Sequence, residues 1–390
     1  MIERIIAYGR LKILPKDKNM MMRIAPIYVF SAFYLLAAAN LLANEANTVV
    51  AIMNVGVNPA SIAVTPNNHW AYVPNNNNYG ITGGYTVTVL NLRTNTVEKT
   101  IRDSSFDEPY RVAITPDGKK AYVANSNSTT ISIIDTSINE VVGVIDGFDG
   151  PSGIVITPEG DRAYVNNYGG PDGVGSGNGN TLRVVDLINN VIVGPPIIVG
   201  LAPAALAISP KGKFVYVANY VDGNPGTGTM SIINTSTNTV IRTVTGFSGP
   251  FALAVTPNGN YAYVTNFGSN NFDPIGTTVS VVDLKAGFIV DTIDVGIQPS
   301  GIAITPDGCF VYVTNYNTLY AGPNFTKLTA GEGTVNIIDT EYNEVIPPTI
   351  EVGLSPSNIT ISPNGQYAYV TNYTSNIVSV IELCNNQMNL

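Results

Sequence analysis

The sequence predicts an all-β protein built as a closed ring of seven four-stranded units. Three observations support this prediction. A motif of short β-branched segments occurs seven times, with four segments in six copies and three in the last, and turn residues separate the segments. A segment of the missing type precedes the first copy. Gly (37), Pro (25) and Tyr (21) are abundant among the 390 residues, as expected for short strands joined by tight turns.

Each copy of the motif begins with an apolar segment ending in Thr-Pro or Ser-Pro. The prolines are Pro66, Pro116, Pro158, Pro210, Pro257, Pro306 and Pro363. A turn, an AYVTN-like segment, a TVSVVDL-like segment and an NTVIRTV-like segment follow. Antiparallel units of about 40–50 residues with four strands are typical of propeller blades. We therefore predict a seven-bladed β-propeller at residues 47–384 and a short tail at 385–390.

The seventh copy ends at NIVSVIE (376–382) without a fourth segment. The first copy is preceded by NTVVAIMNVG (47–56), which resembles the fourth segment NTVIRTVTGF (238–247). We expect the N-terminal strand to pair with residues 376–382, to complete the seventh blade and to remove an exposed sheet edge. Val49, Val50, Ile52 and Met53 are then expected to pack in the ring.

Residues 1–43 have the pattern of a secretory signal peptide. A basic segment precedes an apolar one at 24–43, and cleavage after Ala39 or Ala43 fits the small residues at its end. An uncleaved anchor is the alternative, because about 20 apolar residues can span a bilayer. No later apolar segment is as long. We expect a mature chain without a membrane span, a monomer, located in the periplasm, at the cell surface or outside the cell.

Net charge and cysteine content restrict the expected partners and the expected disulfide content. Removing residues 1–43 leaves 13 of 19 basic and 26 of 28 acidic residues, a net charge near −13. Such a surface repels phosphate backbones, so nucleic acid is excluded as an expected partner. Cys309 and Cys384 are too few for a disulfide framework, and we expect two unpaired thiols on the face opposite the long loops.

The repeated AYVTN, VYVTN and ITPDG segments and the Val-Gly-x-x-Pro connector resemble the YVTN-repeat family of β-propellers. The resemblance covers nearly all of residues 47–384. This resemblance implies that the protein is an extracytoplasmic binding protein or a surface-layer module. It also implies that lactonase-like propeller enzymes are related to it.

Two residue types recur at fixed positions in the second segment of every copy. The tyrosines are Tyr72, Tyr122, Tyr164, Tyr216, Tyr263, Tyr312 and Tyr369, and the asparagines are Asn75, Asn125, Asn167, Asn219, Asn266, Asn315 and Asn372. Seven equivalent positions cannot all face one ligand. We expect the rings to fill space between blades and the amides to satisfy backbone at strand ends.

Copies differ mainly between their second and third segments, where five of them carry longer loops on one face. Function concentrates in such loops, although neutral insertion into exposed loops is the alternative. Aromatic residues in these loops suit stacking on sugars or peptides: Tyr79, Tyr85, Tyr168, Tyr220, Phe267, Phe272, Tyr316, Tyr320 and Tyr373.

The residues just after each connector proline enter the central channel from that same face, and most are small. Tyr110, Arg111, Phe251 and Asn358 are the exceptions. Arg111 beside two aromatic residues could hold a carboxylate. Pairing of Arg111 with Asp107 or Glu108 is the alternative.

Catalytic groups are scarce in this sequence. His69 is the only histidine, and its position in a first turn predicts an exposed site on the opposite face. No catalytic triad, metal site or cofactor site is predicted. Our leading hypothesis is a non-catalytic propeller that binds a protein, peptidoglycan or glycan. The alternative is a lactonase-type hydrolase acting at the channel mouth. The candidate binding residues are Tyr110, Arg111, Phe251 and Asn358 at the mouth, and Tyr168, Tyr220, Phe267 and Tyr316 in the loops.

Overall fold

A computed structural model describes residues 46–77, 85–169, 179–220, 226–268, 275–321 and 327–384. The predicted signal peptide and the C-terminal tail lie outside these residues. No helix in the described ranges is long and apolar enough to cross a membrane.

Thirty strands occupy the described residues. The first is β1 (Thr48–Asn54). Blade 1 contains β2 (Ala63–Val64), β3 (Trp70–Asn75), β4 (Thr86–Asn91) and β5 (Thr96–Arg102). Blade 2 contains β6 (Pro109–Ile114), β7 (Lys120–Asn125), β8 (Thr130–Asp135) and β9 (Glu140–Asp146). Blade 3 contains β10 (Pro151–Ile156), β11 (Arg162–Asn167), β12 (Thr181–Asp186) and β13 (Val191–Ile198). Blade 4 contains β14 (Pro203–Ile208), β15 (Phe214–Asn219), β16 (Gly228–Asn234) and β17 (Thr239–Phe247).

Blade 5 contains β18 (Pro250–Val255), β19 (Tyr261–Gly268), β20 (Ile275–Asp283) and β21 (Phe288–Asp294). Blade 6 contains β22 (Pro299–Ile304) and β23 (Phe310–Asn315), then β24 (Thr318–Ala321) and β25 (Lys327–Ala330), which form a separate hairpin, then β26 (Glu332–Asp339) and β27 (Glu344–Leu354). Blade 7 contains β28 (Pro356–Ile361), β29 (Tyr367–Asn372) and β30 (Ile377–Glu382), together with β1. The hairpin of β24 and β25 was not anticipated from sequence.

Each blade is an antiparallel sheet of four strands, and the first strands of neighbouring blades contact one another around the axis. The prediction of a seven-bladed, all-β propeller is confirmed. Second and third strands are buried on both faces by the adjoining blades, for example the central residues of β3 and β4. This two-sided burial explains why these segments lack a polar alternation.

The N-terminal strand β1 pairs antiparallel with β30, and Met53 lies opposite Val378. Further bonds join the chain ends where blade 7 meets blade 1: the Ser357 hydroxyl donates to the Pro59 carbonyl at 2.8 Å, and the Asn58 amide donates to Asn376 Oδ1 at 2.8 Å. The ring is therefore closed by the N-terminal strand.

The expected packing of β1 is correct only in part. Met53 is 3% exposed and Val49 packs partly against the core, whereas Val50 (47%) and Ile52 (61%) are solvent-exposed. Side chains alternate between the two faces of a strand, and only one face of the outermost strand is covered by a neighbouring blade. The prediction that all four side chains pack in the ring was wrong for Val50 and Ile52.

The repeated tyrosines fill the space between blades, as predicted, and several also form a specific bond. The hydroxyl of Tyr122 donates to Asn190 Oδ1 at 2.8 Å, and that of Tyr263 donates to Asn343 Oδ1 at 2.7 Å. Tyr72 and Tyr164 bond in the same way to an asparagine in the outer turn of the next blade. Each of these asparagines has a positive φ, which asparagine tolerates better than most residues.

The repeated asparagines differ from expectation. Their Nδ2 groups donate mainly to side-chain hydroxyls of the third strand, as from Asn75 to Thr86 and Thr88, both at 2.9 Å. The connector glycine passes directly over the amide: a Cβ at Gly56 would lie 2.5 Å from Asn75 Cγ. The Val-Gly connector and the asparagine are therefore one packing unit, and glycine is needed there for close approach.

Cys309 and Cys384 are both exposed and form no disulfide in the described part of the chain, as predicted. His69 is only half-buried rather than fully exposed, and its Nε2 contacts the guanidinium of Arg93.

Candidate functional site

Aromatic side chains from successive blades meet on the face that carries the long loops. The ring centroids of Phe251 and Phe267 lie 5.0 Å apart. Tyr220 approaches Phe251 edge-on at 6.3 Å, and Tyr316 approaches Phe267 at 6.1 Å. Tyr168 packs against the same group. We call these five residues the aromatic patch.

Tyr220 is the buried member of the aromatic patch and supports the other rings. It is 5% exposed, it packs on Ala202 and Ala204, and its hydroxyl donates to the Gly268 carbonyl at 2.6 Å. The other rings of the patch are half-buried, so part of their surface remains open to solvent. The sequence prediction placed Tyr220 among contact residues, but the structure gives it a supporting position.

A cavity of about 180 Å³ opens beside the aromatic patch. We call it the mouth cavity; it is lined by Tyr110, Ser126, Ser152, Tyr168, Ala204 and Phe251. Four of these residues follow the connector prolines of blades 2, 3, 4 and 5, and Ser126 and Tyr168 follow the second strands of blades 2 and 3. The mouth cavity therefore lies where the connectors and the long loops converge.

Local backbone geometry places these residues at the rim. Strand pairing is irregular directly after the connector proline in blades 2 to 7, as between Pro109 and Arg111. A bulge of this kind redirects the side chain that follows the proline. Ser152 is held by Asn166, whose Nδ2 donates to its hydroxyl at 3.0 Å and also bonds the Pro203 carbonyl of blade 4.

Arg111 supplies a positive charge next to the mouth cavity. Its guanidinium carbon lies 5.7 Å from the centroid of the Tyr110 ring. Among the described residues no carboxylate lies within 4.0 Å of Arg111, so the alternative pairing with Asp107 or Glu108 is not formed. Burial lowers the pKa of Arg111 from its usual high value, but an arginine remains charged at neutral pH.

The pKa of the Tyr168 phenol is raised mainly by burial and to a smaller extent by the electrostatic interaction with Tyr110. Its hydroxyl therefore remains protonated at neutral pH and can donate a hydrogen bond to a ligand. The described residues of the rim consequently combine apolar rings with hydroxyl groups, and Arg111 adds a positive charge beside Tyr110.

The remaining predicted residues lie apart from the mouth cavity. Asn358 is half-buried between blades 7 and 1, where its Oδ1 accepts from the Ile62 amide at 3.4 Å. The Tyr373 hydroxyl donates to Asn76 at 3.4 Å, which also joins blades 7 and 1. Tyr85 is half-buried near Glu108 and Asp107. Tyr79 and Phe272 fall outside the described residues, as does the side chain of Tyr320.

Two residues near the rim, Ser126 and Glu108, were not identified as site residues from the sequence, in which Glu108 was considered only as an ion-pair partner of Arg111. Ser126 lines the mouth cavity although it lies in the shortest of the variable connections, and its hydroxyl donates to the Glu108 carbonyl at 3.0 Å. Glu108 has φ 47° and is half-buried. Burial, followed by the repulsion of Asp107, raises the pKa of the Glu108 carboxyl. The positive φ does not distinguish Glu108, because the residue before the connector proline has a positive φ in every blade, from Asn58 to Ser355.

Comparison with known proteins places the chain by fold. The family model described as "Lactonase, 7-bladed beta-propeller" matches residues 233–390. The solved structure titled "Kuenenia stuttgartiensis Hydrazine Synthase" is 23% identical with a TM-score of 0.69, over 84% of this chain and 96% of that chain. No curated protein matches the sequence. The match and the seven observed blades identify the chain as a β-propeller of the seven-bladed class.

Proposed function

We propose that this protein is an extracytoplasmic binding protein that holds a ring-bearing group of a cell-envelope glycan or peptide in the mouth cavity. The observation that carries the proposal is the meeting of aromatic side chains from blades 2 to 6 at one rim, namely Tyr110, Tyr168, Tyr220, Phe251, Phe267 and Tyr316. Aromatic rings offer large, rigid apolar surface, and tyrosine adds a hydroxyl for hydrogen bonding.

The size of the mouth cavity supports a single inserted group. Complete pockets for small molecules measure about 300–1,000 Å³, whereas the mouth cavity measures about 180 Å³. One sugar or aromatic ring fits this volume, and the rest of a longer ligand would lie across Phe251, Phe267 and Tyr316. An extended ligand on an open face suits a polymer better than a small metabolite.

Charge favours a ligand with a carboxylate on or near the inserted ring. Arg111 has no carboxylate partner among the described residues and stands beside Tyr110 at the rim. Bonds between a guanidinium and a carboxylate are about twice as strong as neutral hydrogen bonds. Peptidoglycan fragments and acidic envelope glycans carry both the ring and the carboxylate.

The test is calorimetric titration of the purified protein with soluble peptidoglycan fragments and a panel of envelope glycans. Phe251→Ala removes one of the two rings that the mouth cavity and the aromatic patch share, and binding should weaken by about tenfold or more, as for a buried hot-spot residue. Phe288→Ala is the matched control, because Phe288 lies on the outer strand of the same blade and is 57% exposed. Equal effects of the two changes would reject the mouth cavity as the site.

The glycan and peptide alternatives are separated by capture from the native envelope before and after protease treatment. A retained partner indicates a glycan, and a lost partner indicates a protein. Export is tested by fractionating cells and sequencing the mature N-terminus, with cleavage expected after Ala39 or Ala43.

A hydrolase of the lactonase type is the second candidate, and the family match to residues 233–390 favours it. In this candidate Glu108 would act as general base, a role consistent with the rise of its pKa by burial. Ser126, which lines the mouth cavity, bonds the Glu108 backbone and places it near the rim. A screen against lactones and esters tests this candidate. Turnover that is lost in both Glu108→Gln and Arg111→Ala would establish hydrolysis in place of simple binding.

A further inference from the structure

A second pocket lies on the face opposite the mouth cavity, between blades 4 and 5. We call it the 4–5 pocket. Its volume is about 510 Å³, within the range of about 300–1,000 Å³ that is usual for small-molecule sites. The first turns of both blades border it, together with the outer turn of blade 5. Its floor is formed by apolar side chains that include Phe214, Ile232 and Leu284.

The pocket exists because one repeat position is changed. At four other blade junctions the repeated tyrosine donates to an asparagine in the outer turn of the next blade. In blade 5 the equivalent turn residue is Gly287, with φ 75°. No asparagine side chain therefore reaches Tyr216. Arg242 occupies that space instead, and its guanidinium donates to the Ala286 carbonyl.

The hydroxyl of Tyr216 is a hydrogen-bond donor that borders the 4–5 pocket. The residue is 3% exposed and lines the 4–5 pocket, and its hydroxyl has no hydrogen-bond partner among the described residues. Among the described residues the Tyr369 hydroxyl likewise has no hydrogen-bond partner, but Tyr369 is not one of the residues that line the 4–5 pocket. Burial raises the pKa of Tyr216 to about 12, so the hydroxyl stays protonated at neutral pH.

The rim of the 4–5 pocket is strongly basic in an otherwise acidic protein. Lys211, Lys213, Arg242 and Lys285 line it, and none of its lining residues is acidic. In the described part of the chain none of these four cations has a carboxylate within 4.0 Å. Unneutralised cations around an apolar cavity concentrate anions from solution.

We propose that the 4–5 pocket binds a small organic anion, in which an apolar ring system fills the cavity and a carboxylate, sulfonate or phosphate group meets the lysines and Tyr216. The apolar floor requires a body larger than an inorganic ion, and the basic rim requires the charge. This site is separate from the mouth cavity and does not depend on the function proposed for it.

The probe is anilinonaphthalene sulfonate, whose fluorescence rises in apolar sites, titrated into the full-length purified protein. Its neutral counterpart, N-phenyl-naphthylamine, has the same rings without the sulfonate. We expect saturable binding of one sulfonate per chain and binding of the neutral compound at least about tenfold weaker, as for loss of a charged hydrogen bond. At about 1 M salt, where charges are screened beyond about 3 Å, the difference should shrink.

Two variants locate the site. The double change Lys213→Gln with Lys285→Gln alters only exposed side chains and should weaken sulfonate binding at least about tenfold. Lys119→Gln is the matched control, because Lys119 holds the same turn position in blade 2 and should have no effect. Gly287→Asn restores the asparagine of the other blades, displaces Arg242 and should abolish binding, with folding checked by circular dichroism.

The proposal is overturned if no saturable binding is seen, if the neutral probe binds equally well, or if the double lysine variant binds like the wild type. It is also overturned if Phe251→Ala abolishes binding and the lysine changes do not, since the probe would then occupy the mouth. Competition by inorganic phosphate alone, at the affinity of the sulfonate, would contradict the requirement for an apolar body.

Discussion

Replacing Met53 by alanine tests how the N-terminal strand is seated in the ring. Met53 is 3% exposed and packs at the junction of blades 7 and 1 with Ile62, Leu90 and Tyr369. Truncation of a buried methionine leaves a cavity and costs about 2–5 kcal/mol. The neighbouring Ile52 is 61% exposed, and Ile52→Ala should change the free energy of unfolding by no more than about 0.5 kcal/mol.

Thermal and urea unfolding of the two variants, followed by circular dichroism, measures the difference. At about 1.5 °C per kcal/mol, as the unfolding entropy per residue implies for a propeller of more than about 250 residues, Met53→Ala should lower the Tm by about 3 °C or more. Ile52→Ala should leave it within about 1 °C. Equal shifts in both variants, or none in Met53→Ala, would refute the observed register of β1 against β30.

Removal of the whole strand extends the test to ring closure. A protein that begins at Gly56 lacks β1 and exposes the edge of β30. We expect it to aggregate or to melt far below a protein that begins at Asn44, because unpaired edges promote association. Identical melting temperatures and a monomeric state for both proteins would contradict closure by β1.

Three further changes follow from the repeat geometry and are measured by thermal unfolding. Gly56→Ala should destabilise by about 1–3 kcal/mol because its Cβ collides with the asparagine below, whereas Gly143→Ala meets only a methyl group at 3.4 Å and should be tolerated. Tyr122→Phe removes a 2.8 Å bond between blades and should cost about 0.5–1.5 kcal/mol; no loss would show that the bond is not made in solution. Hydrogen bonds from Ser137 to the Asp135 carboxylate lower the pKa of Asp135; the bond from the hydroxyl has the larger effect and the bond from the backbone amide the smaller. The ionised carboxylate therefore stabilises the fold at pH values above the ordinary aspartate pKa, and this stabilisation is lost as the pH falls through the lowered pKa of the folded state. The Tm of the wild type should exceed that of Asp135→Asn near neutral pH, and the difference should vanish in acid. A constant difference at all pH values would exclude this origin.

The repeat pattern is sufficient to predict the blades and their order around the ring, because each copy carries its own turns and apolar segments. It also predicts closure, since a single missing segment has a single possible replacement. The exposed positions Val50 and Ile52 could not be predicted in this way. Blades diverge with distance from the axis, so an outermost strand is covered on one face only, although its residue types match those of covered strands.

The candidate site was predictable in its parts but not in its assembly. Tyr110 and Phe251 are identified as exceptions to a small-residue pattern, and Tyr168 as an aromatic residue in a long loop. Their meeting around one cavity depends on the bulge after each connector proline, which redirects side chains across blades 2 to 5. The role of Ser126 in lining the cavity could not be predicted from the sequence, because the packing of the neighbouring blades determines where this short connection lies relative to the rim.

Closure of the ring through β1 also determines how late in synthesis the fold can be completed. The backbone amide of Asn58 bonds a residue 318 positions later in the chain, and β1 has no strand partner until residues 377–382 have been made. Contacts of such long range slow folding, because a large loop must be closed before the contact forms. The strand β1 therefore stays without its strand partner until β30 has been synthesised, and the ring cannot close before that point.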